Sequence, residues 1–346
     1  MRVRFVAMGA LVLFFSSCSW YHYNNPSVKK GILASKINGM AIMAPPSPFR
    51  TNPMPVLKQI GINWISIQPF AFFYKDQPDI QYSGYQWWGE RPEGLIKTIE
   101  LARKENLSIL LKPQLWAYNQ WVGDLAFEKE EDWVIFEDNY RNYILPMVKL
   151  ADSLGVELFS VGTEMKRFAL QRPEFWRALI EEIRTIYTGK LVYAANWDNY
   201  HRITFWDALD YIGVDAYFPL TPQKRPTVNA LKEAWMPTVD SLHAFYKAWG
   251  RPVLFTEFGY MSLEACAYKA WLLEQMQEQA VLSEQAQANA LQALLETFGE
   301  KSWWAGGFQW KWYVDLPSVL TPVQAARDYT PQGKKAMKVL EDLYKK

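Results

Sequence analysis

Residues 228–260 read VNALKEAWMPTVDSLHAFYKAWGRPVLFTEFGY. Over 228–249 apolar side chains recur at helical spacing among charged ones, Gly250 stands where a helix stops, and 253–260 is an almost unbroken apolar run broken by Thr256 and Glu257. A helix, a glycine and a strand without alternation form the unit of a parallel sheet, whose strands are covered on both faces. Working outward, similar runs rich in β-branched and aromatic residues occur at 37–44, 64–70, 108–114, 156–164, 191–198, 211–219 and 304–312. Helical spacing with charged faces marks 92–105, 131–154, 173–187, 284–298 and 333–344, and Gly61, Gly155 and Gly189 repeat the stop signal. Eight strand–helix units in a chain of this length fit one (β/α)8 TIM barrel of the α/β class, about 250 residues plus insertions. A doubly wound open sheet is the alternative, but neither of its phosphate-binding patterns, G-x-G-x-x-G and G-x-x-x-x-G-K-[ST], is present.

The composition limits what such a barrel does. Half of the 346 residues are hydrophobic and 16% aromatic, enough for a large core. With 37 Lys and Arg against 36 Asp and Glu, no broad basic field exists for a nucleic-acid backbone, so no nucleic-acid partner is expected. Two Cys (Cys18, Cys266) and three His (His22, His201, His243) are too few and scattered for a zinc cluster, leaving an oxygen-only Ca²⁺ site as the open alternative; no metal and no cofactor are expected. His201 reads as a loop surface residue, and no G-x-S-x-G or H-E-x-x-H is present.

The first residues read as an address. Arg2 and Arg4, the apolar run 5–15 and the small Ser16-Ser17 before Cys18 describe a secretory signal over 1–17, too short to span a bilayer. Cys18 is placed as in a bacterial lipoprotein signal, so it is the expected lipidation site, although Phe15 stands where such signals usually carry Leu. The expectation is an exported protein, lipid-anchored to a bacterial membrane in the periplasm or at the cell surface and monomeric, with a formal charge of about −1 once Arg2 and Arg4 are removed. A polar tether follows over 18–35, then one barrel domain over 36–346, in which Cys266 has no disulfide partner.

Function is read at the C-terminal ends of barrel strands. The fourth run ends Phe159-Ser160-Val161-Gly162-Thr163-Glu164 and the seventh carries Leu254-Phe255-Thr256-Glu257, so each delivers one Glu after an apolar stretch. A carboxylate there is costly unless paired with a buried cation or used in chemistry. Two on strands four and seven point to catalysis. Trp is abundant at 17 residues, and Trp87, Trp88, Trp116, Trp121, Trp197, Trp310 and Trp312 fall at strand ends or in the loops after them, where aromatic faces stack on sugar C–H surfaces. Lys112, Gln114 and Gln68 end apolar runs and are candidates for sugar hydroxyls, with internal pairing as the alternative; Asp215 and Asp198 carry the same ambiguity. The charged residues of 128–132 and 274–284 read as solvated helix faces.

V-G-T-E-M around Glu164 and F-T-E-F-G-Y around Glu257 resemble glycoside hydrolase family 113, within the clan of retaining (β/α)8 hydrolases. The resemblance takes in Leu111-Lys112-Pro113-Gln114, Asn196-Trp197, Asp215-Ala216-Tyr217, Gln309-Trp310-Lys311-Trp312 and Asp328-Tyr329-Thr330-Pro331-Gln332-Gly333-Lys334, nearly all of 36–345. It implies endo-β-1,4-mannanase activity on a polysaccharide or oligosaccharide by double displacement, with Glu164 as general acid/base, Glu257 as nucleophile and carboxyls about 5 to 5.5 Å apart. Tyr217, ending strand six, is the candidate to hydrogen-bond Glu257, and Trp310 the platform under the reacting sugar. Most of the clan has Asn before the acid/base, contacting the sugar 2-hydroxyl; here Thr163 stands there, and Asn196 offers that contact instead. The alternatives are the same chemistry on glucan or xylan, a non-catalytic glycan-binding lipoprotein, and a structural lipoprotein whose strand-end Trp would be buried.

Overall fold

The computed structural model describes residues 33–82, 84 and 86–345. Eight strands, β1 (Ile37–Met43), β2 (Trp64–Ile67), β3 (Ser108–Leu111), β4 (Leu158–Thr163), β5 (Lys190–Asn196), β6 (Tyr211–Asp215), β7 (Val253–Phe258) and β8 (Trp304–Tyr313), each pair in parallel with the next. β8 also pairs with β1, Ile37 opposite Gly306, which closes a single (β/α)8 barrel. The helices expected from spacing are present as Pro92–Lys104, Glu130–Ser153, Pro173–Ile186, Val228–Trp249, Glu284–Gly299 and Lys335–Tyr344. Val228–Trp249 shows why its ends were legible: the Thr227 hydroxyl accepts the Ala230 N–H, and Gly250 takes the left-handed conformation (φ 65°) that glycine adopts without strain. A short helix, Met54–Gln59, lies between β1 and β2, just ahead of the stop signal read at Gly61.

The signal segment, Cys18 and the tether up to residue 32 lie outside the described residues, whereas Leu33, at the end of the expected tether, is fully buried in the core. Among the described residues no helix is long and apolar enough to cross a membrane, and Cys266 is buried and free.

Two apolar layers hold the barrel. Residues facing outward from the strands join the helices in one continuous cluster, in which Phe255, for example, meets Trp235 and Phe298 from two helices. Inside the barrel a separate cluster of Ile37, Leu110, Leu158, Val192, Leu254 and Phe308 fills one level. Side chains alternate along a strand, so the next inward positions are Lys112, Ser160, Ala194 and Thr256, a mostly polar level toward the C-terminal ends. The interior therefore changes from apolar floor to polar site within one residue pair. Gly39 admits the Phe308 ring to the floor, since a Cβ there would lie 2.3 Å from it. Gly39→Ala is expected to destabilise by about 1–3 kcal/mol through overpacking, read as a lowered thermal midpoint.

The second and third runs were expected to continue to 70 and 114, but β2 ends at Ile67 and β3 at Leu111. Pro69 and Pro113 lack the N–H that a strand donates, so the ladder steps there. The chain then resumes as Phe70–Tyr74 and Gln114–Tyr118, which pair in parallel as a two-stranded arm outside the barrel. The buried Tyr143 hydroxyl lies 3.0 Å from the Pro69 carbonyl and 3.2 Å from that of Gln114, tying both arm strands to the helix Glu130–Ser153.

Candidate active site

Glu257 reaches the barrel interior through an irregularity in β7. Val214 of β6 lies opposite Phe255, but the next residue, Asp215, lies opposite Glu257, so β7 carries one extra residue. Leu254 faces the interior floor, Phe255 faces the helices, and Thr256 returns inward to donate its hydroxyl to Asp215 Oδ1 at 2.7 Å. Strict alternation would turn Glu257 outward; the bulge turns it inward as well.

The Glu257 carboxylate is surrounded by donors. Lys112 Nζ and Gln114 Nε2 (3.0 Å) donate to Oε1, and the Tyr217 hydroxyl donates to Oε2 at 2.8 Å. Lys112 is wholly buried, and its Nζ also lies 3.3 and 3.4 Å from the two oxygens of Asp215. Burial alone would discharge an ammonium, but the negative charges of Asp215 and Glu257 outweigh it and raise the Lys112 pKa. Asp215 is itself raised, by burial first and then by the charge of Glu257, while Lys112 and Thr256 oppose the shift. One cation thus stands between two carboxylates, each with a second donor.

Glu164 is held differently. It follows β4 with left-handed backbone (φ 53°), its N–H donating to the Ala194 carbonyl at 2.8 Å. For a residue with a Cβ this conformation costs roughly 1–2 kcal/mol, and such strain clusters at functional sites. Its half-buried carboxyl has the Trp121 indole N–H 3.4 Å from Oε2. Burial, then the charges of Asp215 and Glu257, push its pKa well above the ordinary carboxylate value. One carboxyl surrounded by donors beside one whose pKa is raised by burial and neighbouring charge suits a displacement in which the first attacks and the second protonates the leaving group.

The model of Glycoside Hydrolase Family 113 matches residues 48–334. The chain belongs to glycoside hydrolase family 113. Solved family 113 β-1,4-mannanases share its fold: one, described as a complex, is 24% identical, covers 90% of this chain and 99% of its own, and has a TM-score of 0.75. The β-mannanase of Alicyclobacillus acidocaldarius in complex with ManMIm is 23% identical over 90% of this chain and 97% of its own, with a TM-score of 0.76. A β-glucuronidase from Ruminococcus gnavus shares the fold at 14% identity over 90% of this chain and 50% of its own, with a TM-score of 0.61. No curated protein matches the chain in sequence.

In this family 113 hydrolase the candidate residues divide into two groups. Glu164, Glu257, Tyr217, Lys112 and Asp215 come together, but Lys112 and Asp215 are fully buried and pair with each other and with Glu257 rather than presenting groups to a sugar. Gln68 is likewise buried, its amide bonded to Ser66 Oγ at 2.6 Å, and Trp312 is packed into the core between barrel and helices. The strand register thus buries Gln68 inside the barrel beneath the cleft surface and Trp312 outside it against the helices. Thr163 is occupied too, its hydroxyl 3.4 Å from the Pro113 carbonyl. Asn196 is half-buried at the end of β5, opposite Asp215. Trp310 is half-buried against the cluster of Met261, Leu263 and Tyr329, which also holds Tyr217. Trp116 stands exposed on the arm. Asp198 lies at 2.6 Å from Lys166.

Two contributors carried no signal in the sequence. Thr256 fixes Asp215, and Trp271, in the long connection after β7, stacks on Trp197 with centroids 5.6 Å apart and rings 15° from parallel. Glu274 was read as part of a solvated face, yet it accepts the Tyr329 hydroxyl at 2.8 Å and so ties that connection to the wall beside Tyr217. Among the described residues no group of three or more His, Cys, Asp or Glu is placed to hold a metal ion.

Proposed function

We propose that this family 113 hydrolase is a retaining endo-β-1,4-mannanase in which Glu257 is the nucleophile and Glu164 the general acid/base. The observation that carries the reading is the asymmetry of the two carboxyls: donors from Lys112, Gln114 and Tyr217 converge on Glu257, while Glu164 has only the Trp121 indole N–H nearby and lies where burial and the charges of Asp215 and Glu257 raise its pKa. Glu257 attacks the anomeric carbon as Glu164 gives its proton to the departing glycosidic oxygen, forming a glycosyl ester and releasing one product. Glu164, now ionised, takes a proton from water as that water attacks the same carbon. The ester bond breaks, the second product leaves with its original anomeric configuration, and both carboxyls return to their starting states. β-Mannan is the substrate that the mannanases of like fold favour. The exposed Trp116 and Trp121 speak for a glycan surface and against a barrel used only as a structural scaffold.

The test is hydrolysis of mannan, glucomannan, mixed-linkage glucan and xylan, with Glu164→Ala as control. Mannan is expected to be cleaved and the control to lose that cleavage; cleavage of another glycan alone would keep the mechanism and discard the substrate. Binding without any cleavage would leave a glycan-binding lipoprotein. Because Glu164 works protonated and its pKa is raised, the alkaline limb of kcat/KM is expected to fall as the pH rises through that pKa. Glu164→Ala should lose this alkaline limb on substrates whose leaving group needs no proton, and a limb that persists would place the titration elsewhere. The same proposal has the enzyme exported and anchored through Cys18, so Cys18→Ala should release it from the membrane fraction.

A further inference from the structure

The arm outside the barrel presents a face the chemistry above does not use. On its two parallel strands Ala71, Phe73, Leu115 and Ala117 point into the core, while Phe72, Tyr74, Trp116 and Tyr118 point away from it. Phe72 lies opposite Trp116 and Tyr74 opposite Tyr118, so the face is aromatic at two successive levels. Tyr118 is stacked between neighbours, 4.7 Å from Tyr74 and 6.0 Å from Phe72. Trp116 is 57% exposed, Tyr74 42% and Tyr118 36%, a clustered apolar surface of the kind that marks a binding site.

The face starts at the catalytic centre, and the chain beyond its strand returns to it. Gln114, the first residue of the same strand, donates to Glu257, and Trp121, three residues past its end, has its N–H beside Glu164. From Gln114 to Tyr118 the strand rises about 13 Å, the length of a short run of β-linked sugars. Sugar rings offer C–H faces to aromatic side chains, and the tyrosine hydroxyls can serve their polar edges.

We infer that the arm is a distal glycan track, in which Trp116, Tyr118 and Tyr74 hold the part of a β-mannan chain that continues past the bond being cut. This deepens the function proposed above and rests on it. The track makes the enzyme favour long chains and places the cut inside them, because a chain end too short to reach the arm forfeits these contacts.

The experiment compares mannohexaose with mannotriose in the wild type and in Trp116→Ala/Tyr118→Ala. The wild type should favour the hexaose in kcat/KM, and the double variant should lower that hexaose-to-triose ratio about tenfold, the worth of two lost stacking contacts. Tyr118→Ser alone should lower it by a smaller factor. An unchanged ratio in a variant that keeps its thermal midpoint would overturn the track while leaving the mannanase reading intact. If the wild type cleaves neither oligosaccharide, the mannanase reading falls instead. The track is then decided by calorimetric binding of the two oligosaccharides to the same proteins: tighter hexaose binding lost in the variant supports it, equal binding refutes it.

Discussion

Glu257→Ala is expected to lower kcat on β-mannan on the order of 10⁴-fold, as removal of a nucleophile does in other hydrolases. The variant should still fold, because Lys112 keeps Asp215 as a charge partner and the pair stays neutral. It should also still bind oligosaccharide, since the aromatic surfaces of the cleft are untouched. The space left beside the anomeric carbon is then open to a small external anion, so azide should restore part of the turnover and leave a glycosyl azide. Calorimetry with mannohexaose and product analysis with and without azide check both halves. Undiminished hydrolysis would remove Glu257 from the nucleophile's role.

Lys112→Met is expected to be severe as well, for a different reason. The ammonium is the one positive charge bonded to both Glu257 and Asp215, and it is wholly buried. Without it the buried Asp215 and the mostly buried Glu257 face each other with no cation between them, and breaking a buried pair costs about 3–5 kcal/mol, seen as a lower thermal midpoint. Asp215 then takes a proton at a higher pH than before, because its charged form has lost the counterion that opposed its raised pKa. Activity should therefore fall by about 10² or more, because Glu257 has lost the cation bonded to it. Lys112→Met/Asp215→Asn separates stability from catalysis. It removes one charge of each sign, so the thermal midpoint should recover, but Glu257 remains without its cation and activity should stay low. Full recovery of activity in the double variant would reduce Lys112 to a structural role.

The barrel was legible because its information is local. Continuous apolar strands, helical spacing over 228–249 and a stop at Gly250 each need only neighbours in sequence, and β7 and its helix formed where they were read. The places of the two Glu, at the ends of β4 and β7, were legible for a related reason, since a carboxylate closing an apolar run stands out without any partner in view. The arm was not legible: Pro69 and Pro113 fall inside runs that read as single strands, and only the pairing of Phe70–Tyr74 with Gln114–Tyr118 separates barrel from arm. Trp312 and Gln68 were misplaced in kind. Their sequence positions are near strand ends, but depth below the cleft depends on the register of all eight strands.

By itself, then, the sequence determined an eightfold strand–helix chain with carboxylates closing its fourth and seventh strands, because alternation, helix stops and apolar runs act over a few residues. What those carboxylates do was decided by tertiary structure. Lys112 is 145 residues from Glu257 and 103 from Asp215, and no local pattern links them. Closing the barrel puts the ammonium between the two, and the extra residue in β7 turns Glu257 toward it. Charges interact through distance and burial rather than through sequence separation, so the raised pKa of Glu164 arises only when the barrel closes.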